Sequence, residues 1–424
     1  MQTPNASPPR VHADPHASRE RHPLLHVDIR RQTRLYYAYV ALSNLSMISV
    51  VMNLYLAHLG FSLYQIGILL GVLQVGNTVL EIPTGFVADR FGNRASLIFA
   101  LALQMAAYAL MPLAGALPAM AAVMVLLALA NTLTTGCASA IVTNALLAEG
   151  RSDQLTDLSA RSGVIFYLCY GVAALASGWL SEQSYELVIA LSVGCLAGAL
   201  AAVALMREVR AGGEKDGGDR PIRVREAAYY VVSNRPALYY ALVEGAVAWS
   251  MVPVDDFYNN YLHDFLGIPL PLVGVIVAAQ FVAASLAGLA SSRLARHVPE
   301  GLVARVGPAV TVAVFLCFAL APDPRAAIAL YLLGLATFRL TNPVRSKLLS
   351  LGVDARFRVT VASFSSIAIS LLSAVSQPIF GWLSGALDMR AAMVVLMAIT
   401  LALLAAINLA FPDATSADAV EGGN

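Results

Sequence analysis

The chain is short of charge. Only 12% of its 424 residues are Asp, Glu, Lys or Arg, about half of the roughly 25% usual in soluble domains. A hydrated surface around a chain of this length needs far more, so a soluble enzyme and a nucleic-acid binder are excluded. Cysteine is scarce too. Cys137, Cys169, Cys195 and Cys317 lie in apolar runs at spacings that fit no metal or redox motif, which excludes a disulfide scaffold. Of seven histidines, His12, His16, His22 and His26 fall near the N-terminus, and His58, His263 and His297 are scattered. No G-x-x-x-x-G-K-[ST] loop is present to hold a nucleotide. No metal or cofactor is expected. The polar first 34 residues lack the apolar core of a cleavable signal peptide, so the first apolar run is expected to act as the insertion signal.

Apolar residues are what the chain has in excess: 58% of the total, with a mean hydropathy of +0.70. The runs are continuously apolar and do not alternate, which points away from a β-barrel. About 20 such residues span a bilayer as a helix. Six runs fall within 35–206 and six within 236–411. The expected fold is therefore an all-α membrane protein of twelve transmembrane helices in two six-helix bundles. Residues 1–34 and 412–424 are expected to be tails. Residues 207–235 are expected to be a linker, with the flexible charged stretch Gly212–Asp219 and an amphipathic segment over Pro221–Val232. Six, a gap, then six suggests an internal duplication.

Basic residues set the orientation. All but three of the 27 Lys and Arg fall on the side of the tails. Arg325 and Arg390 fall opposite, and Arg339 falls inside a run. By the positive-inside rule both termini are cytoplasmic, in the plasma (inner) membrane of a bacterium.

Between runs two and three the sequence reads EIPTGFVADRFGNRASL, Glu81–Leu97. Gly85 permits close helix approach, Gly92 suits a tight turn, and Asp89 can pair with Arg90, Arg94 or Arg161. The segment resembles the signature loop of the major facilitator superfamily, G-x-x-x-D-R-x-G-R-[RK]. Gly85, Asp89, Arg90, Gly92 and Arg94 match, and Asn93 departs. The second half echoes it: Gly288, Ser292 and Arg293 repeat the spacing, with Ala295 for the second glycine. Arg356–Ser363 resembles a segment that opens span eleven in many members, with Val359 departing. The EIPTG run resembles bacterial drug-efflux-like members. The resemblance implies two bundles rocking about a central cavity lined by spans one, four, seven and ten. Gly85, Asp89, Arg90, Gly92, Arg94, Glu81, Arg161 and Arg293 would form a conformational latch. Two family motifs are absent. Span four has Asn131 near the usual arginine, and span five, Tyr167–Leu180, has no proline.

A charge within a span costs roughly 2.5–3.5 kcal/mol and points to function by default. Glu81, Glu244, Asp255, Asp256 and Arg339 are such charges. Glu244 reads as a protonatable carboxylate or as a static partner of Arg339, whose depth matches. Arg339 reads as a substrate anchor, as a group that tunes a neighbouring acid, or as a structural pair with Glu244 or with carbonyls near Pro343. Asp255 and Asp256, eleven or twelve residues on, read as solvated mouth residues or as an outer proton or cation site. Glu81 reads as a partner for the nearby arginines, with a coupling role as the alternative. Asn44, Asn53, Asn131, Gln74, Gln280 and Gln377 suggest a wet, amphipathic cavity.

The resulting expectation is a monomeric secondary transporter that moves a small amphipathic organic molecule by alternating access, coupled to protons and directed outward. Import or facilitated diffusion of a small solute, an anion included, is the alternative, followed by a non-transporting receptor. A membrane enzyme would need a clustered His, Asp or metal constellation, which the sequence lacks.

Overall fold

A computed structural model describes residues 28–209, 224–351 and 358–412. No strand occurs among the described residues. Twelve helical units are long and apolar enough to cross a membrane. Spans 2 and 3 are Leu63–Phe91 and Asn93–Leu110; spans 5 and 6 are Leu155–Ser181 and Tyr185–Leu205. Spans 7 to 12 are Arg235–Asn260, Leu270–His297, Glu300–Ala319, Pro324–Leu351, Arg358–Ala386 and Met389–Ala410. Spans 1 and 4 are each two helices, Ile29–Asn44 with Ile48–His58 and Leu117–Thr134 with Cys137–Ala148. A short helix, Val224–Ser233, precedes span 7 and overlaps the Pro221–Val232 segment expected to be amphipathic. Its side marks what we call the linker side, and the other is the far side. The linker stretch 212–219, most of both tails and the 352–357 segment lie outside the described residues.

Span 1 begins at Ile29, six residues before the apolar run, because Asp28 caps it: the Arg31 N–H donates to Asp28 Oδ1 at 3.2 Å. Gln32, also ahead of the run, is buried. Its amide donates to Arg207 O at 2.7 Å and accepts from Arg207 N–H at 3.1 Å, tying the start of span 1 to the end of span 6.

The breaks in spans 1 and 4 free backbone groups that lipid could not satisfy. In span 1 the Ile48 N–H donates to Ser192 Oγ of span 6 at 2.9 Å, and Ser49 Oγ donates to Ser46 O at 2.6 Å. In span 4 the chain turns at Gly136, whose φ of +76° is left-handed and needs glycine.

The two halves meet at the far side through small residues. Gly67 and Gly71 of span 2 lie against the backbone of Gln377, Pro378 and Ala374 of span 11, and Gly381 lies against Leu63. A Cβ added to Gly67 would come within 2.5 Å of Gln377 O. Gly178 of span 5 faces Leu270 and Gly274 of span 8 in the same way. Backbones that touch leave no gap, so dispersion and the absent side chains form the seal. We expect Gly178→Leu to destabilise the protein by about 1–3 kcal/mol, the usual cost of overpacking, read by thermal unfolding in detergent. Spin labels at the far ends of spans 5 and 8 should also move apart. An unchanged distance would contradict this seal.

Candidate functional site: a central cavity open to the linker side

Below the far-side seal lies a cavity of about 850 Å³ between the halves. Its wall comes from spans 1, 2 and 5 on one side and spans 7, 8, 10 and 11 on the other. Asp255, Asp256 and Arg339 all line it, and Asp255 and Arg339 are exposed to it. Asp256 is half-buried and its carboxylate accepts from Gln377 Nε2. Its backbone carbonyl accepts from Asn53 Nδ2 of span 1 at 2.6 Å. Asn259 Nδ2 donates to Val50 O at 2.8 Å. These amides lace span 1 to span 7 at the floor. Arg339 lies near enough to Asp255 for their opposite charges to attract, yet no ion pair joins them among the described residues.

Aromatic rings complete the wall. Tyr258 stacks on Tyr331 with centroids 4.9 Å apart, and Tyr331 Oη donates to Gln280 Oε1 at 2.8 Å. Tyr170 of span 5 meets Phe281 of span 8 edge-on at 4.8 Å. Toward the linker side the lining turns to small residues, Ser159, Ala160, Gly163, Ala284 and Gly288. The arrangement offers two carboxylates, one unpaired guanidinium, several amides and flat apolar faces. A small solute with both polar and apolar parts fits such a volume.

Three expected site residues are elsewhere. Glu244 Oε1 pairs with Arg345 Nη2 at 3.1 Å, and neither residue lines the cavity. Matched depth suggested Arg339 as the partner, but depth ignores rotation. Six residues separate the two arginines, which leaves them roughly 120° apart around the helix. One faces water and the other faces span 7. Arg345 is 1% exposed, lies 5.8 Å from the Phe338 ring and donates to Asn342 Oδ1 at 3.3 Å. Asn44 donates to Val40 O at 2.7 Å, closing the last turn before the break in span 1. The Asn131 side chain is exposed and outside the cavity lining.

At the loop between spans 2 and 3, Gly92 adopts φ +95°, the left-handed region that its place in the turn requires. The N–H groups of Asn93 and Arg94 donate to the Glu208 carboxylate at 2.6 and 3.2 Å. The Arg94 guanidinium donates to Val203 O and Ala204 O, carbonyls in the last turn of span 6. Glu208 thus caps span 3 while Arg94 caps span 6. Gly85, Asp89, Arg90, Glu81 and Arg293 are exposed on the linker side. Arg161 pairs with Asp157 of its own helix at 2.9 Å and not with Asp89. Ser292 and Ala295 have no described side chains, and Arg356 lies outside the described residues.

A family model described as Major Facilitator Superfamily matches residues 38–370. The chain belongs to the Major Facilitator Superfamily. It is a multi-pass membrane transporter and not an enzyme, of the class that exposes a central site to one side at a time. Solved structures of superfamily fold cover 90% or more of it. The nucleoside transporter NupG, as a D323A mutant, superposes with a TM-score of 0.76 at 15% identity, over 90% of this chain and 99% of that one. A bacterial homologue of the human lysosomal transporter Spinster, inward-facing and occupied, gives 0.71 at 15% over 91% and 97%. A bacterial homologue of the iron transporter ferroportin, inward-facing, gives 0.70 at 14% over 92% and 100%. These likenesses are of fold. In sequence, the uncharacterized MFS-type transporter YxaM of Bacillus subtilis (strain 168) is 28% identical over 104 residues, about a quarter of either chain.

For this superfamily member, sequence reasoning missed Arg345, Glu208 and the aromatic wall. Arg345 reads as one more positive-inside residue until Pro324–Leu351 is seen as one helix. Glu208 follows the last apolar residue of span 6 and has no motif around it. We expect Glu208→Gln to lower stability by about 0.5–2 kcal/mol, as loss of a helix cap does, with solute binding retained. We expect Arg345→Ala to cost about 3 kcal/mol, the low end of the usual cost of breaking a buried pair, because the Glu244 left behind is 25% exposed. Glu244→Gln should likewise lower the melting temperature more than it weakens solute binding. Unchanged melting with lost binding would place Glu244 in the transport path instead.

Proposed function

We propose that this superfamily member exports a small amphipathic organic molecule across the bacterial plasma membrane by alternating access, in exchange for protons. The observation that carries this reading is the gathering of Asp255, Asp256 and Arg339 on one wall of a single cavity. A carboxylate can take up or release a proton, and two in sequence beside one guanidinium give a solute and a proton a shared place to compete. Tyr258, which lines the cavity and is backed by the buried Tyr331, supplies an apolar face for the rest of the molecule. The excess of arginine on the linker side supports reading that side as cytoplasmic, with both termini there. The open cavity then faces the interior, the side from which an exporter loads. One chain encloses the whole cavity, which supports a monomer as the working unit.

A second reading, import of an anionic solute, has one observation in its favour. Arg339 is exposed to the cavity with no ion-pair partner among the described residues, as a docking point for a carboxylate or phosphate would be.

The decisive test is flux in proteoliposomes with an imposed pH gradient, using radiolabelled nucleosides, lipophilic amines and small organic anions as probes. We expect gradient-driven accumulation of an amphipathic probe. Asp256→Asn should abolish the gradient-dependent part while exchange of solute for solute continues. Arg339→Ala should raise the half-saturating concentration of anionic probes only. Full gradient-driven flux in Asp256→Asn would defeat proton coupling through this site.

A further inference from the structure

A second cavity, of about 380 Å³, opens at the linker-side end of the first half. It has no part in the transport cavity and shares no lining residue with it. Four arginines surround it: Arg30 and Arg34 from the first turns of span 1, Arg151 from the turn after span 4, and Arg161 from span 5. One carboxylate, Asp157, is present, and it is engaged by Arg161 at 2.9 Å. Arg30, Arg34 and Arg151 have no ion-pair partner among the described residues.

Three other arginines on this side are seated on fixed partners. Arg94 donates to the carbonyls at the end of span 6. Arg305 donates to Asn408 O and Pro412 O, both at 2.8 Å. Arg345 is paired with Glu244. The cluster around the second cavity is different, since three sequence-distant elements bring four guanidinium groups to one concave space against a single carboxylate, Asp157, which Arg161 already engages. Arg30 and Arg34 share a helix face, being four residues apart. Their mutual repulsion is relieved only by an anion or by dispersal into solvent. A concave site strengthens the first option, because low-dielectric walls concentrate the field. The guanidinium fork matches the oxygens of a phosphate. Tyr37 adds a hydroxyl, and Leu146 and Leu158 supply an apolar floor.

We propose that this cavity is a binding site for a phosphate-bearing anion, held by Arg30, Arg34 and Arg151. The same chemistry is offered by the headgroup of an acidic phospholipid and by a soluble phosphate. Leu158 and Arg161 line this site while Ser159 and Ala160 line the transport cavity. A bound anion therefore sits on the helix that forms one lip of the transport cavity and fastens it to the start of span 1.

The test uses the purified full chain in nanodiscs of phosphatidylcholine, with or without phosphatidylglycerol, and native mass spectrometry to count retained lipids. A second arm titrates inorganic phosphate and glycerol phosphate calorimetrically in phosphatidylcholine discs. Retention of phosphatidylglycerol assigns the site to a lipid. Saturable binding of the soluble anions without lipid retention assigns it to a soluble phosphate. In either case a triple variant, Arg30→Gln with Arg34→Gln and Arg151→Gln, should bind roughly a hundredfold more weakly, at about fivefold per guanidinium. Arg235→Gln, an exposed arginine on the same side, should leave binding unchanged. If the triple variant fails to fold, Arg34→Gln and Arg151→Gln are measured singly, each with the fivefold loss. Absence of any saturable anion in both arms overturns the proposal. Equal binding by wild type and the arginine variants overturns it as well.

Discussion

Hydrocarbon tolerates an ionised group only with a partner or with water, and the placement of nearly every charge in this chain follows from that constraint. Arg345 is buried, and it has a carboxylate, an amide oxygen and an aromatic face around it. Arg94 spends its charge on the carbonyls that end span 6. Asp255 and Arg339 have no such enclosure, and they stand at the wall of a cavity large enough to hold water. The same rule that sends most arginines to one side therefore identifies the interior charges that face solvent as those able to meet a solute.

Asp256 links that cavity to the seal above it. Its carboxylate is held by Gln377 of span 11, and its backbone carbonyl is held by Asn53 of span 1. Gln377 is also a residue on which Gly67 packs. A change of charge or of occupant at Asp256 thus bears directly on the contact between spans 2 and 11 and on the bonds between spans 1 and 7. On the proposed reading of Asp256, binding and closure would share atoms here, which is what coupling between a site and a conformation requires.

The twelve spans were legible because length and continuous apolarity are local properties. The glycine pattern after Glu81 was legible because a left-handed turn at Gly92 admits few alternatives. Asp255, Asp256 and Arg339 were legible as charges in apolar runs. Their gathering was not, since it depends on how spans 7 and 10 are rotated. The same rotation turns Glu244 toward Arg345. Asn44 and Asn131 looked alike as polar residues in cavity-lining spans, yet one mends a helix end and the other lies outside the cavity. Neither fate is written in the residue type. The breaks in spans 1 and 4 were not legible because the polar stretches around Ser46 and Gly136 lie inside runs long enough to read as one continuous helix each.

The far-side seal is built from glycine, alanine and carboxamide contacts, and among the described residues no ion pair crosses between the halves. Its strength is steric, and ionic strength has little purchase on it. The exposed acids and arginines on the linker side are in the opposite position, since an electrolyte screens them over about a Debye length. The two ends of the transport path thus answer to different variables. Ionic strength bears on the linker-side end, while the far-side end is set by the fit of backbone against backbone.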